Sequence, residues 1–307
     1  MPESHPADSG TEPVEGRTVG VIGLGIMGGA MAERLLDAGH VVRGFDIDAA
    51  AVARFGARGG WACETPAAAA RDTELLLLMV HNEHQVAQVL EGPTGALASM
   101  APGGVIWLGS TVSPSVAIDL AARLAAQGIA LIDGPVSGGA TGAQTGDLVA
   151  ICGGSPESLS RADFALRVCA RHVYHVGPPG AGASVKMINQ LLVAAHSVLT
   201  AEAMALARLA GVEPRQLIDV VSNSAGQSRI FDKRAPRIAD GDDTVHVSVD
   251  TLRKDLSIVI EASNRLGLDP KIARAVLAVL DGAAQAGRGG QSDTTLIQDY
   301  LGPVSVP

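Results

Sequence analysis

The stretch VIGLGIMGGAMAERLLDAG, residues 21–39, constrains this chain more than any other. Gly23, Gly25 and Gly28 form G-x-G-x-x-G directly after an apolar strand and at the opening of an Ala-rich helix. In that setting the first glycine makes the tight turn, the second lets backbone approach a pyrophosphate, and the third lets helix and strand pack closely. The anion then rests on free N–H groups at the helix N-terminus. Gly23, Leu24, Gly25, Ile26, Met27 and Gly28 are therefore the candidate cofactor cradle. Asp46 ends the next strand, in VVRGFDID, where an acidic side chain can hydrogen-bond the ribose hydroxyls of NAD and repel the extra phosphate of NADP. NAD is the expected cofactor; the alternative is that Asp46 is a turn residue and Arg43 or Arg54 folds over a 2′-phosphate.

From Arg17 onward, β-rich runs alternate with Ala- and Leu-rich segments of helical period, the pattern of βαβ units around a parallel sheet. The pattern predicts strands over 18–23, 41–45, 75–80, 105–108, 129–132, 148–152 and 173–176. GPPGAGA, residues 177–183, ends that series, and the rest reads as helices over about 183–210, 214–221, 249–266 and 271–286. A chain of 307 residues also exceeds what one core usually serves. The expected fold class is α/β: an N-terminal NAD-binding Rossmann domain with a parallel sheet over 17–180, then an all-helical substrate and dimerisation domain over 181–307. Residues 1–16 are polar and acidic and are expected to be a disordered tail. The helix from Ala183 is apolar nearly all round, as helices buried between elements or subunits are, which predicts a homodimer or homotetramer.

The composition, 47% hydrophobic and 18% charged, suits a globular protein. A net charge of −9 with 3% aromatic residues gives neither a basic footprint nor stacking platforms, so no nucleic-acid partner is expected. No uninterrupted apolar run approaches the roughly 20 residues of a membrane helix, so no membrane partner is expected either. Cys63, Cys152 and Cys169 have no metal or disulfide spacing. A cytoplasmic location is the resulting expectation.

Two further places suggest chemistry. Ser137, Gly138 and Gly139 follow a strand end with unhindered N–H groups that can converge on an anion such as a carboxylate; a mobile Gly-rich crossover is the alternative. Only four residues are lysine, and the first, Lys186, stands near the start of the most apolar helix. Lysine can lose a proton where arginine cannot, and desolvation favours that loss, so Lys186 can exchange a proton with an alcohol and its ketone. Asn189 and Gln190, three and four positions on, can share its helical face. Lys254 and Asp255 alone read as an ordinary exposed charge pair. The histidines have no metal spacing, and no metal is expected.

GLGIMG at 23–28, GSTVSP at 109–114, DGPVSGG at 133–139, Lys186 with Asn189 in GASVKMINQ, and Lys254-Asp255-Leu256 together resemble the 3-hydroxyisobutyrate dehydrogenase family of β-hydroxyacid dehydrogenases. KMINQLLVAAHSVLTAEAMALA, followed by SNSAGQSRIFDKR, looks most like its L-threonate dehydrogenase branch. The resemblance implies an active site in the cleft between the two domains and oxidation of a small hydroxy-acid, L-threonate at C2 foremost, with 3-hydroxyisobutyrate dehydrogenase and tartronate semialdehyde reductase as alternatives. A catalytically silent NAD-binding module is the remote alternative, against which the presence of Lys186 counts. It further implies Thr111 beside the nicotinamide ribose, Ser137, Gly138 and Gly139 on the substrate carboxylate, Lys186 as catalytic, Asn189 orienting substrate, and Lys254 on the cofactor. Ser222, Asn223, Ser224, Gln227 and Ser228 resemble a substrate-facing loop, with Gln227 as the substrate ligand. Met79 and Val80 belong to the cofactor set, although Met79-Val80-His81-Asn82 departs from the Leu-Pro pair common there.

Overall fold

The structure, a computed structural model, describes residues 16–301. The expected tail therefore lies outside the described residues except for Gly16. Nine strands form one sheet: β1 Thr18–Ile22, β2 Val41–Phe45, β3 Trp61–Ala62, β4 Leu75–Leu78, β5 Val105–Leu108, β6 Ala130–Asp133, β7 Val136–Ser137, β8 Leu148–Gly153 and β9 Ala170–Gly177. Their order is β3-β2-β1-β4-β5-β6-β8-β7, with β9 also on β8. The first six in that order pair in parallel, the doubly wound Rossmann arrangement. β7 pairs antiparallel with β8 at the far edge of this otherwise expected parallel arrangement. β7 has two residues and β3 has two, both below the length at which alternation is readable.

The central strands read as apolar runs because both faces are covered: every residue of β4 and β5 is buried. The helices of this half are α1 Ile26–Asp37, α2 Ala49–Ala57, α3 Pro66–Ala70, α4 Glu83–Glu91, α5 Pro114–Ala125, α6 Gly139–Thr145 and α7 Pro156–Cys169. Asp48, Thr65, Asn82 and Ser155 cap α2, α3, α4 and α7 by accepting a backbone N–H from the first turn. α1 and α6 have no side-chain cap.

The chain forms two compact units, one reaching to Ser110 and including Leu120–Ala150 and Gly154–Tyr174, the other made of Thr111–Asp119, Ile151–Gly153 and the chain from His175. The second is helical: α8 Ala181–Leu209, α9 Pro214–Ser222, α10 Arg229–Asp240, α11 Val249–Arg265, α12 Lys271–Ala283 and α13 Gln298–Leu301, with a 3-10 turn over Asp293–Ile297. Helix α8 packs against α10, α11 and α12, with Ala194, Val198, Met204, Phe231 and Leu256 in the common core. Although no apolar run is uninterrupted over such a length, α8 is long and apolar enough by length and composition to cross a membrane, and 56% of its most apolar window is buried within this chain. α10 is a helix that the apolar period did not show. Charged residues fill half of it and Pro236 lies inside it, while Ser228 caps its start.

Burial in this unit extends to charge. Arg234 on α10 donates to Asp293 Oδ2 at 2.8 Å, and Ser197 on α8 donates to the same oxygen at 3.3 Å. Their side chains are 10% and 0% exposed for Arg234 and Asp293. Removing one member of such a pair strands the other charge. Arg234→Met is expected to cost about 3–5 kcal/mol in urea unfolding of the full chain; a loss under about 1 kcal/mol would show that the pair adds nothing a hydrophobe cannot replace.

Candidate active site

The turn after β1 is built by close contacts. Gly23 has φ +95°, and a Cβ there would stand 2.4 Å from the Met79 carbonyl oxygen. A Cβ on Gly28 would fall 1.9 Å from the Gly23 carbonyl oxygen, so the opening of α1 lies directly on the turn. Gly25 differs, since a Cβ there meets nothing within 4 Å. Its missing side chain leaves open space beside an uncapped helix start with no acidic residue in its first turn. These residues fit the pyrophosphate of a dinucleotide: the amides are exposed where an anion would sit and nothing local competes for them. Leu24 is buried, Ile26 is exposed and Met27 half-buried.

Asp46 holds this loop from below. Its Oδ2 accepts the Leu24 N–H at 2.6 Å and its Oδ1 accepts the Asp48 N–H at 2.8 Å. Arg43 is committed elsewhere: its guanidinium lies 4.4 Å from the Trp61 ring centroid and its Nε donates to the Ala68 carbonyl at 3.1 Å. Arg54 lies 3.9 Å from Asp48. Met79 has a packing place, its N–H donating to the Ile22 carbonyl at 2.8 Å and its side chain filling the space beside Gly28 and Gly109. Val80 donates its N–H to Ser110 Oγ at 2.9 Å.

Ser137 ends β7, opposite Val149. Gly138 at φ +145° and Gly139 at φ +72° then turn the chain into α6. A Cβ on Gly138 would press on Leu148 at 2.8 Å, whereas Gly139 again faces open space. α6 and α1 are thus alike in starting on glycines with their first amides uncapped.

In the helical unit, Lys186 lies in the second turn of α8 and is buried. Burial pulls its pKa down to about 8; Asp255 pulls it back up and Lys254 adds to the fall. Four residues on, the buried Gln190 donates to Asp255 Oδ2 at 2.5 Å, and it accepts from Asn189 Nδ2 at 3.1 Å. Lys254 Nζ lies 2.9 Å from Asp255 Oδ1. Lys186, Asn189, Gln190, Lys254 and Asp255 therefore belong to one polar patch between α8 and α11. The expected exposed pair at 254–255 is corrected: Asp255 is buried, because it lies in the inward stripe of α11 with Leu252, Leu256 and Val259. The structure thus adds Asp255 to the candidate site residues that the sequence and the resemblance supply, and ties Gln190 to it. Thr111 falls in this unit too, half-buried ahead of buried Val112 and Ser113.

The polar run after α9 is bonded locally. Ser222 donates to Asp232 Oδ1 at 2.8 Å, Gln227 to Asp232 Oδ2, Asn223 to the Asp219 carbonyl and Ser224 to the Val220 carbonyl. Gln227 is exposed. Among the described residues, no three His, Cys, Asp or Glu side chains gather as a metal site.

Known proteins share this organisation. Residues 18–177 match the NAD binding domain of 6-phosphogluconate dehydrogenase, and residues 180–300 match the family described as NAD-binding of NADP-dependent 3-hydroxyisobutyrate dehydrogenase. An L-threonate dehydrogenase of Cupriavidus necator is 39% identical over 93% of this chain and 97% of its own. A solved structure titled 3-hydroxyisobutyrate dehydrogenase from Salmonella typhimurium superposes with a TM-score of 0.86 at 36% identity, covering 92% of this chain and all of that one. Psf3 in complex with NADP+ and 2-OPP superposes at 0.85 with 27% identity, over 92% of this chain and 99% of that one. The chain belongs to the 3-hydroxyisobutyrate dehydrogenase family of nicotinamide-dependent hydroxy-acid dehydrogenases.

Proposed function

We propose that this enzyme oxidises the C2 hydroxyl of L-threonate to the 2-oxo acid with NAD. The observation that carries the reading is a buried lysine, Lys186, whose pKa of about 8 lets it give and take a proton near neutrality. Likeness over nearly the whole chain to a protein named L-threonate dehydrogenase supplies the substrate. When bound, the oxidised nicotinamide supplies the hydride acceptor. Neutral Lys186 accepts the proton of the C2 hydroxyl, and Asn189 and Gln190 beside it orient that oxygen. Ser137 and the amides at Gly138 and Gly139 hold the carboxylate. The exposed amide of Gln227, steadied by Asp232, is assigned to the hydroxyls on C3 and C4. Gly23 to Gly28, Asp46, Met79, Val80, Thr111 and Lys254 form the cofactor set. Among them, Asp46 favours NAD because a carboxylate at the end of β2 opposes the extra phosphate of NADP, and Arg43, which could offset it, lies on Trp61.

Val185, Ile188, Leu192, Leu199 and Leu206 leave 40–66% of their surface exposed at three-, four- and seven-residue spacing along α8. That stripe is assigned to a homo-oligomer contact. Three buried thiols outside any disulfide fit the reducing cytoplasm, and recovery of the protein with an oxidising compartment on cell fractionation would remove that assignment.

Lys186→Met is expected to lower kcat by about 10² or more while NAD binds unchanged. In the wild type, kcat/KM for oxidation should fall as pH drops below about 8, because the base form of Lys186 is lost there. A variant that keeps more than about a tenth of the wild-type kcat would remove Lys186 from proton transfer.

The substrate reading is decided by kcat/KM for L-threonate, D-threonate and 3-hydroxyisobutyrate, each with NAD and NADP. L-Threonate with NAD should lead 3-hydroxyisobutyrate by about 10²-fold or more, since a site that hydrogen-bonds the substrate hydroxyls loses those bonds against a methyl group. Gln227→Ala should narrow that lead. If 3-hydroxyisobutyrate leads, the polyol assignment is wrong; if NADP matches NAD, the Asp46 assignment is wrong.

Light scattering of the purified chain should give a mass at least twice that of the monomer, and Leu199→Lys with Leu206→Lys should return it to a monomer. A monomeric wild type sinks the oligomer assignment.

A further inference from the structure

We propose that Arg34, on the helix that opens at the dinucleotide cradle, is a positioning residue for substrate. Its guanidinium fixes α6 against α1, and with α6 the loop Ser137–Gly139 that leads into it. The proposal rests on the reading of that loop as the holder of the substrate carboxylate. Every residue in it belongs to the first compact unit. Arg34 stands in the last turn of α1 and is half-buried. Its Nε donates to the Val168 carbonyl at 2.9 Å. That carbonyl is one of the last four of α7, which helix geometry leaves unbonded. The same guanidinium lies against Gly146, which ends α6 at φ +73°. A Cβ there would stand 2.6 Å from Cζ and Nε and 2.7 Å from Nη2, so the absence of a side chain at 146 makes the seat for the charge. Three helices, α1, α6 and α7, thus bring their C-terminal ends to one cation, the charge that such ends favour.

The three do not depend on it equally. α7 has fourteen residues and a second tie to α1, from Cys169 Sγ to the Met31 carbonyl at 3.8 Å. α6 has seven residues and buries only Gly142 and Ala143. Leu148 of β8 supports its inward side, since a Cβ on Gly138 or Gly142 would meet Leu148 Cδ2 at 2.8 or 3.1 Å. Arg34 supports its far end. A helix this short is about 10 Å long, so movement at 146 is carried to 139 and the loop before it. The cradle is less exposed to such movement, because Gly23 and Gly28 lock the start of α1 by their own close packing. Loss of Arg34 should therefore misplace the substrate loop and spare the cofactor.

The test uses the full chain with whichever of L-threonate, D-threonate and 3-hydroxyisobutyrate the wild type turns over best, and measures KM, kcat and, by calorimetry, the Kd for NAD. Arg34→Met retains a long side chain but no charge and no donors. It should raise KM for the acid by about 10-fold or more while the Kd for NAD stays within about twofold, given that small misplacements can cost up to about 10²-fold. Arg34→Lys, which restores a cation without the fork, should recover part of the loss. Gly146→Ala attacks the same contact from the other side. It should raise KM in the wild type and add little in the Arg34→Met background, where the displaced group is already gone. The strain of alanine at positive φ is present in both backgrounds and cancels in that comparison. A merely structural role would move KM and the NAD Kd together and let the two substitutions add. Either result overturns the proposal. Ser137→Ala distinguishes the remaining failures: if it raises KM and Arg34→Met does not, the proposal alone falls. If neither raises KM, the carboxylate reading of the loop falls and takes the proposal with it. Should Arg34→Met fail to fold, Gly146→Ala decides, since an unaltered KM there, beside a raised one in Ser137→Ala, is incompatible with a positioning contact.

Discussion

The approach of Gly28 to the carbonyl of Gly23 is the contact on which the nucleotide-binding half depends. With 1.9 Å between that oxygen and the place a Cβ would occupy, no other residue fits at 28 without moving the helix off the turn. The consequences spread in two directions. β1 and β4 lie in register from Val19 opposite Leu75 to Ile22 opposite Leu78, and Met79 continues β4 by donating to the Ile22 carbonyl. The same Met79 then fills the gap beside Gly28 and Gly109, so the turn, the helix and two strand ends are one packed body. Open space at Gly25 is what this body leaves over. The cradle is thus a by-product of packing that is tight at 23 and 28 and absent at 25.

The helical unit works with the opposite material. Its core is apolar, yet it buries Lys186, Gln190, Ser197, Arg234, Asp255 and Asp293. Each buried charge costs free energy and has to be met by a partner. The unit meets that demand in two separate groups, one around Asp293 and one around Asp255. The first is a matched pair, one arginine to one aspartate, and its effect is structural. The second holds two lysines to one aspartate. Burial brings the Lys186 pKa down to about 8, with Asp255 raising it and Lys254 lowering it.

Length and period decide how much of this is legible in the sequence. β1, β2, β4 and β5 are readable because buried parallel strands are unbroken apolar runs, and the glycine spacing identifies the turn and helix after β1. β3 and β7, at two residues each, are too short to carry any period. α10 escapes because Arg229, Asp232, Lys233, Arg234 and Arg237 mask a narrow inward face of Phe231, Ala235 and Ile238. Lys186 stands out by its rarity in an arginine-rich chain. Asp255 does not, although its position is deducible: three residues after Leu252 and four before Val259, it is in line with the buried face of α11. An acid in an apolar stripe is a stronger signal than an acid beside a lysine. Motif likeness favours Asn189 over Gln190, whereas helical geometry puts the residue four positions on directly above Lys186, and the structure ties that one to Asp255.

The polar run after α9 shows why residue type alone says little about substrate. Ser222 and Gln227 converge on Asp232, and Asn223 and Ser224 close back on the preceding turn of α9. Such bonds are what Ser and Asn do at any helix end. What sets this run apart is that Asp232 gathers two side chains whose exposure differs, Ser222 half-buried and Gln227 exposed. The carboxylate fixes the outer amide through an inner hydroxyl anchor. An exposed amide held in that way presents an ordered donor and acceptor to whatever approaches it, at less entropic cost than a free glutamine.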